Sequence, residues 1–112
     1  MDKELYHRGI LFLYQEQLLE AVEALTRVKN PLYPHLYHFY LGKVYVERNR
    51  LELAREQYLK AIALQKDLVM AYLELAYVYV RLGQKAQALQ LLSNYPGNNS
   101  EIKSLQQFIQ KL

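Results

Sequence analysis

The sequence predicts an all-helical solenoid, a row of helix hairpins closed by a final helix. Three observations carry this. Helical hydrophobic patterning runs through the chain with no strand-like alternation, the strong helix breakers fall in two clusters, and small and bulky residues recur in register at a period near 34.

The breaker clusters are "KNPLYP" at 29–34 and "NYPGNNS" at 94–100, and the shorter polar interruptions are "YQEQ", "ERNR", "LQKD" and "RLGQ". They delimit helices near 2–14, 17–29, 35–47, 50–65, 68–82 and 85–94, with a seventh within 99–112. Within the first six, Gly9, Gly42 and Ala76 stand 33 and 34 positions apart, as do Ala21, Ala54 and Ala88. Phe12, Tyr45 and Tyr79 follow the first set by three positions. Leu25, Tyr58 and Leu92 follow the alanines by four, and Val28, Ala61 and Tyr95 by seven.

A small residue on each helix of a hairpin lets the two axes approach closely, while an aromatic one turn on fills the wedge at the open end. Large side chains at both positions would force the helices apart. The spacing divides the chain into repeats of about 2–34, 35–68 and 69–98, with a capping helix of about 99–112, all in a single domain. In "SEIKSLQQFIQKL", Ile102, Leu105, Ile109 and Leu112 make one apolar stripe backed by Lys103, Gln106, Gln107, Gln110 and Lys111, as suits a helix that closes the exposed end of an array.

At 52% hydrophobic and 22% charged, the 112 residues have the composition of one folded globular domain. Cysteine is absent, which excludes a disulfide framework, a thiol nucleophile and a cysteine-based zinc site, and fits a reducing compartment. The mixed charges of "MDKELYHRG" are unlike a signal or transit peptide, and no apolar run approaches the roughly 18 residues that span a bilayer. A cytoplasmic, membrane-free protein is expected. The 14 basic and 11 acidic residues give a net charge of +3 but are interspersed, so they form no nucleic-acid footprint. The basic residues Arg48, Arg50, Arg55 and Lys60 alternate with Glu47, Glu52 and Glu56, which reads as a solvated face.

The middle unit, through Leu41, Gly42, Tyr45, Ala54, Tyr58 and Ala61, resembles the tetratricopeptide repeat (TPR). The third unit matches through Tyr72, Leu75, Ala76, Tyr79, "RLGQ", Ala88 and Leu92, and the first, more loosely, through Gly9, Phe12, Ala21, Leu25 and Val28. It departs where Arg8 replaces an apolar residue, where Leu5, His38 and Tyr72 stand for the usual tryptophan, and where the closing proline is displaced or missing. The resemblance implies a right-handed superhelix of three hairpins plus the cap, whose concave groove takes a peptide.

At about 100° per residue, His38, Leu41, Gly42 and Tyr45 share the arc that faces the partner helix. Leu36, Phe39, Tyr40 and Lys43 share the opposite arc, which in a superhelix of this kind lines the groove. The corresponding groove residues are Tyr6, His7, Ile10, Leu13 and Tyr14 in the first unit and Met70, Leu73, Glu74, Tyr77 and Arg81 in the third, with Phe108 of the cap at the matching place. A surface of that makeup is a large apolar patch, and tyrosine suits it because the ring buries area while the hydroxyl stays wet or bonds a ligand.

Some family members hold the carboxylate tail of heat-shock chaperones through lysine, asparagine and arginine. The matching positions here carry Tyr6, Ile10, Tyr40, Met70 and Glu74, and none conforms. A carboxylate placed there would lose water and gain no cation, which argues against chaperone tails as partners. His7, His35 and His38 could be imagined as a zinc site, but no carboxylate stands at ligand spacing within the helix, and His38 occupies a core position. The four glycines are isolated and form no phosphate loop, and Ser93, Ser100 and Ser104 lie far in sequence from any histidine. The residues therefore predict a non-catalytic protein-interaction module or scaffold without cofactor or metal, binding a peptide or protein segment through Tyr6, His7, Ile10, Tyr14, Leu36, Phe39, Tyr40, Lys43, Met70, Leu73, Glu74, Tyr77 and Arg81. Two alternatives stay open: the aromatics pack on one another, or the same faces join copies into a homo-oligomer.

Overall fold

The computed structural model describes residues 2–14, 17–28, 31 and 33–112. Its elements are α1 (Asp2–Tyr14), α2 (Leu18–Thr26), α3 (Pro34–Glu47), α4 (Leu51–Leu64), α5 (Val69–Arg81), α6 (Lys85–Ser93) and α7 (Ser100–Gln110). Each helix packs on the next, and α1 and α5 also touch α3 and α7. The result is an elongated solenoid of 44 × 27 × 20 Å, with no strand among the described residues. Boundaries agree with the expected ones except at the end of α2, which stops at Thr26. There Val28 turns inward to become buried, its amide bonding the Leu25 carbonyl at 3.2 Å.

The core is a chain of three clusters. Ala21, Leu25, Val28, Leu41 and Val44 join α1, α2 and α3. Phe39, Ala54, Tyr58, Ala61, Ala71, Leu75 and Val78 join α3, α4 and α5. Tyr72, Ala76, Ala88, Leu92, Ile102, Leu105 and Ile109 join α5, α6 and α7. Half-buried Tyr40 bridges the first pair of clusters, and Ile62, Tyr79 and Leu91 bridge the second. Nearest-neighbour stacking of this kind is how repeat arrays are stabilised.

The small positions act as expected. A Cβ built on Gly42 would lie 2.5 to 2.8 Å from Tyr58 ring atoms, and one on Gly9 would lie 2.5 Å from Leu25 Cγ. Ala21, Ala54 and Ala88 are fully enclosed. Two turns are also built alike, at the same place in successive repeats. Asn49 (φ 57°) and Gly83 (φ 75°) take left-handed conformations just after α3 and α5. The amides of Arg50 and Gln84 reach back to the Tyr45 and Tyr79 carbonyls at 2.8 and 2.7 Å, which satisfies helix-end acceptors.

In α7, Asn99 caps the helix by accepting from the Ile102 amide at 3.0 Å, and Ile102, Leu105 and Ile109 are buried. Leu112 departs from the expected stripe. It lies past the end of the helix, which stops at Gln110, and is exposed.

Candidate peptide-binding groove

The groove expected from the sequence would be lined by α1, α3, α5 and α7. On α5, Met70, Glu74, Tyr77 and Arg81 fall within about 60° of one another, and Leu73 lies to one side. Glu74 points toward α3, where its Oε1 is 3.7 Å from Lys43 Nζ. Half-buried Leu73 packs into the cluster shared with α7. On α7, Gln106 bonds Ser93 of α6 at 2.7 Å, so Phe108, about 160° around the helix, faces away from Ser93. Met70, Tyr77 and Phe108 remain 53%, 51% and 60% exposed, concentrated on α5 and α7.

The α3 side differs. Phe39 is only 1% exposed, so its expected place on the open groove surface is corrected. Its ring lies 5.7 Å from that of Tyr58 on α4 and 5.4 Å from that of Tyr40, with Lys43 Nζ 5.7 Å above it. Helical angle placed Phe39 correctly about its own axis. Its burial comes with the cluster it shares with Ala54, Tyr58 and Ala61 of α4 and Ala71, Leu75 and Val78 of α5. Leu36 and Tyr40 are half-buried, as is Ile10 of α1, while His7 is exposed. The side chains of Tyr6, Leu13 and Tyr14 lie outside the described residues.

Polar contacts organise the ends. Arg81 Nη2 donates to Asn49 Oδ1 at 3.0 Å, tying the end of α5 to the preceding repeat's turn. Tyr72 and Tyr95 stack edge to face at 4.9 Å and donate their hydroxyls to the Lys66 and Asp67 carbonyls at 2.7 and 3.1 Å, which holds the α4–α5 loop. His38 faces α4, as expected of a core position, with Nδ1 2.7 Å from Gln57 Oε1. His35 stands edge-on to Tyr33 at 6.5 Å. Among the described residues no group of three His, Cys, Asp or Glu could hold a metal.

One group was missed by sequence reasoning. Tyr58 is fully buried against Gly42 and Phe39, and its hydroxyl has no hydrogen-bond partner among the described residues. Burial, reinforced by the charges of Glu74 and Glu47, pushes its ionisation far above the ordinary phenol range. The repeat spacing marked the ring as core, but no sequence signal reports whether a hydroxyl finds an acceptor.

Residues 42–83 match the family described as TPR repeat. Among solved structures, the TPR2B-domain:pHsp70 complex of yeast Sti1 is similar, with a TM-score of 0.81 and 19% identity over 96% of this chain and 94% of that one. The chain has the tetratricopeptide-repeat fold. No curated protein matches it by sequence. The matched segment spans the end of α3 from Gly42 onward and all of α4 and α5, so it includes both residues of the Lys43–Glu74 pair.

Proposed function

We propose that this TPR chain is a non-catalytic protein-interaction module that holds a peptide or protein segment in its concave groove. The observation that carries the reading is the exposure of Met70, Tyr77 and Phe108 on adjoining helices of the inner face. Large apolar side chains grouped on one face are favourable to cover and costly to leave wet. Leu73 and Tyr40 would flank the ligand, and Glu74, Lys43 and Arg81 would set its register.

The partner is best matched by an uncharged, apolar segment. Lys43 is already paired with Glu74, and Arg81 is engaged by Asn49. The pHsp70 ligand of the yeast neighbour is therefore not carried over, because Ile10, Met70 and Glu74 offer an acidic tail no cation. Nucleic acid and membrane are not proposed as partners: acidic residues intersperse the basic ones, and no described helix is long and apolar enough to cross a bilayer. A cytoplasmic setting fits the lack of cysteine.

The test is selection of peptides from a random displayed library on the immobilised chain, followed by Met70→Ala, Tyr77→Ala and Phe108→Ala. Each variant should weaken selected peptides at least several-fold while leaving the helical spectrum unchanged. Equal binding by all three overturns the groove assignment. Sedimentation at rising concentration tests the homo-oligomer alternative: a persistent monomer leaves the face for another partner, and self-association that Tyr77→Ala abolishes would replace the present reading.

A further inference from the structure

The two ends of the helices differ in charge. At one end, three hydrogen bonds stitch successive turns side by side. Arg81 of α5 donates to Asn49 Oδ1 in the α3–α4 turn at 3.0 Å, Arg55 of α4 to Gln84 Oε1 in the α5–α6 turn at 3.3 Å, and Lys85 of α6 to the Gln110 carbonyl at the end of α7 at 3.4 Å. They align both turns and the α7 terminus along one edge of the solenoid, and with them Arg48, Arg50, Arg55, Arg81, Lys85 and Lys111. Each bond joins a cation to an uncharged oxygen, so it neutralises nothing. Among the described residues none of the six forms an ion pair, and all but half-buried Arg55 are exposed. Within 47–55, 81–85 and 110–112 they face only two carboxylates, Glu47 and Glu52. At the opposite edge, the loops 65–68 and 94–99 carry Lys66 and Asp67, which cancel.

We propose that this edge is a second interaction surface, separate from the groove, which docks an acidic segment of a protein partner. Packed helices lie about 8–10 Å apart, close to the Debye length of about 8 Å at physiological salt, so cations on neighbouring turns reinforce one another. An arginine bonded through one nitrogen keeps further N–H groups for a carboxylate, so Arg55 and Arg81 can hold their amide partners and a ligand together. The choice of a protein segment follows from Glu47 and Glu52, which interrupt the run of cations. Evenly spaced phosphates, in a nucleic acid or a lipid surface, would meet those carboxylates as well as the cations. A flexible chain can set its own carboxylates against the cations and its neutral residues against Glu47 and Glu52. An extended segment of eight residues reaches about 26 Å, enough to cross the aligned turns.

The probe is a dye-labelled, amidated octapeptide of alternating aspartate and serine, titrated with the full chain and followed by fluorescence anisotropy. It should bind at about 20 mM salt and weaken steadily as salt rises, and its asparagine counterpart should not bind. An exposed ion pair contributes a factor of about 1.4 to 5 in affinity, so the triple variant Arg50→Gln, Lys85→Gln, Lys111→Gln should weaken the probe about 3- to 100-fold. The triple variant Lys60→Gln, Lys66→Gln, Lys103→Gln removes the same charge away from the edge and should change affinity less. Peptides selected on the groove should bind the edge variant as they bind the parent. Equal weakening by the two triple variants overturns the proposal, because net charge alone then accounts for binding. So does failure of the octapeptide to bind at low salt. Loss of groove-selected peptides in the edge variant overturns the separateness of the two surfaces. Tighter binding of an eight-nucleotide oligothymidylate, or of phosphatidylserine–phosphatidylcholine vesicles, than of the octapeptide overturns the acidic segment as the occupant.

Discussion

The middle and third hairpins solve one packing problem with different pairs. In the middle hairpin Gly42 lies against Tyr58, and in the third Ala76 shares a cluster with Leu92 at the corresponding positions. The third pair adds a methyl on the small side, replaces the phenol ring by a shorter branched chain and leaves no polar atom to satisfy. The middle pair takes the deeper notch and the larger ring, and with the ring comes a hydroxyl that finds no acceptor. Close approach of two helices needs only a small residue facing a bulky one. The phenol oxygen is an addition the packing does not require.

Four measurements break or sharpen that comparison. The largest effect is expected from Leu92→Ala, which empties a fully packed site between α5, α6 and α7 and should cost about 2–5 kcal/mol by denaturant unfolding. Next, Gly42→Ala drives a Cβ into the Tyr58 ring and should cost about 1–3 kcal/mol. The double variant Gly42→Ala with Tyr58→Leu rebuilds the third hairpin's pair and should recover much of that loss. If it does not, the two hairpins differ in more than this pair. Third, Tyr72→Phe should cost about 0.5–1.5 kcal/mol by losing its bond to the Lys66 carbonyl, whereas Tyr58→Phe should cost nothing. Equal losses would show that the Tyr58 hydroxyl is partnered after all.

The smallest effect near neutral pH grows in alkali. Burial raises the pKa of Tyr58 and, less strongly, of Tyr37 and Tyr72, holding their phenols neutral. The folded state thus keeps its protons where the unfolded chain begins to lose them. The shift's contribution is complete below about pH 10 and falls as pH rises past it. Tyr58→Phe should flatten the decline in melting temperature above that pH, and an identical decline would show that Tyr58 does not titrate differently on folding.

Helical angle and the 34-residue register explain which predictions held. They placed His38 toward α4, the small residues at the hairpin contacts and Ile102, Leu105 and Ile109 on the buried face of α7. They misplaced Phe39 and Leu112 for different reasons. An angle about one axis says nothing of how near the next helix comes, and a stripe extended past the helix end has no surface to meet. The Arg81–Asn49 bond was equally hidden, because it joins residues 32 positions apart through a turn whose left-handed Asn49 aims its side chain back at α5.

The sequence alone determined the helices, their pairing and the repeat, because each follows from local periodicity and from small residues facing large ones. Tertiary structure decided what no period encodes: the burial of Phe39, the pairing of Lys43 with Glu74 and the isolation of the Tyr58 hydroxyl. These depend on distances of a few ångströms between side chains of different repeats. Such distances are fixed only when every helix has settled against its neighbours.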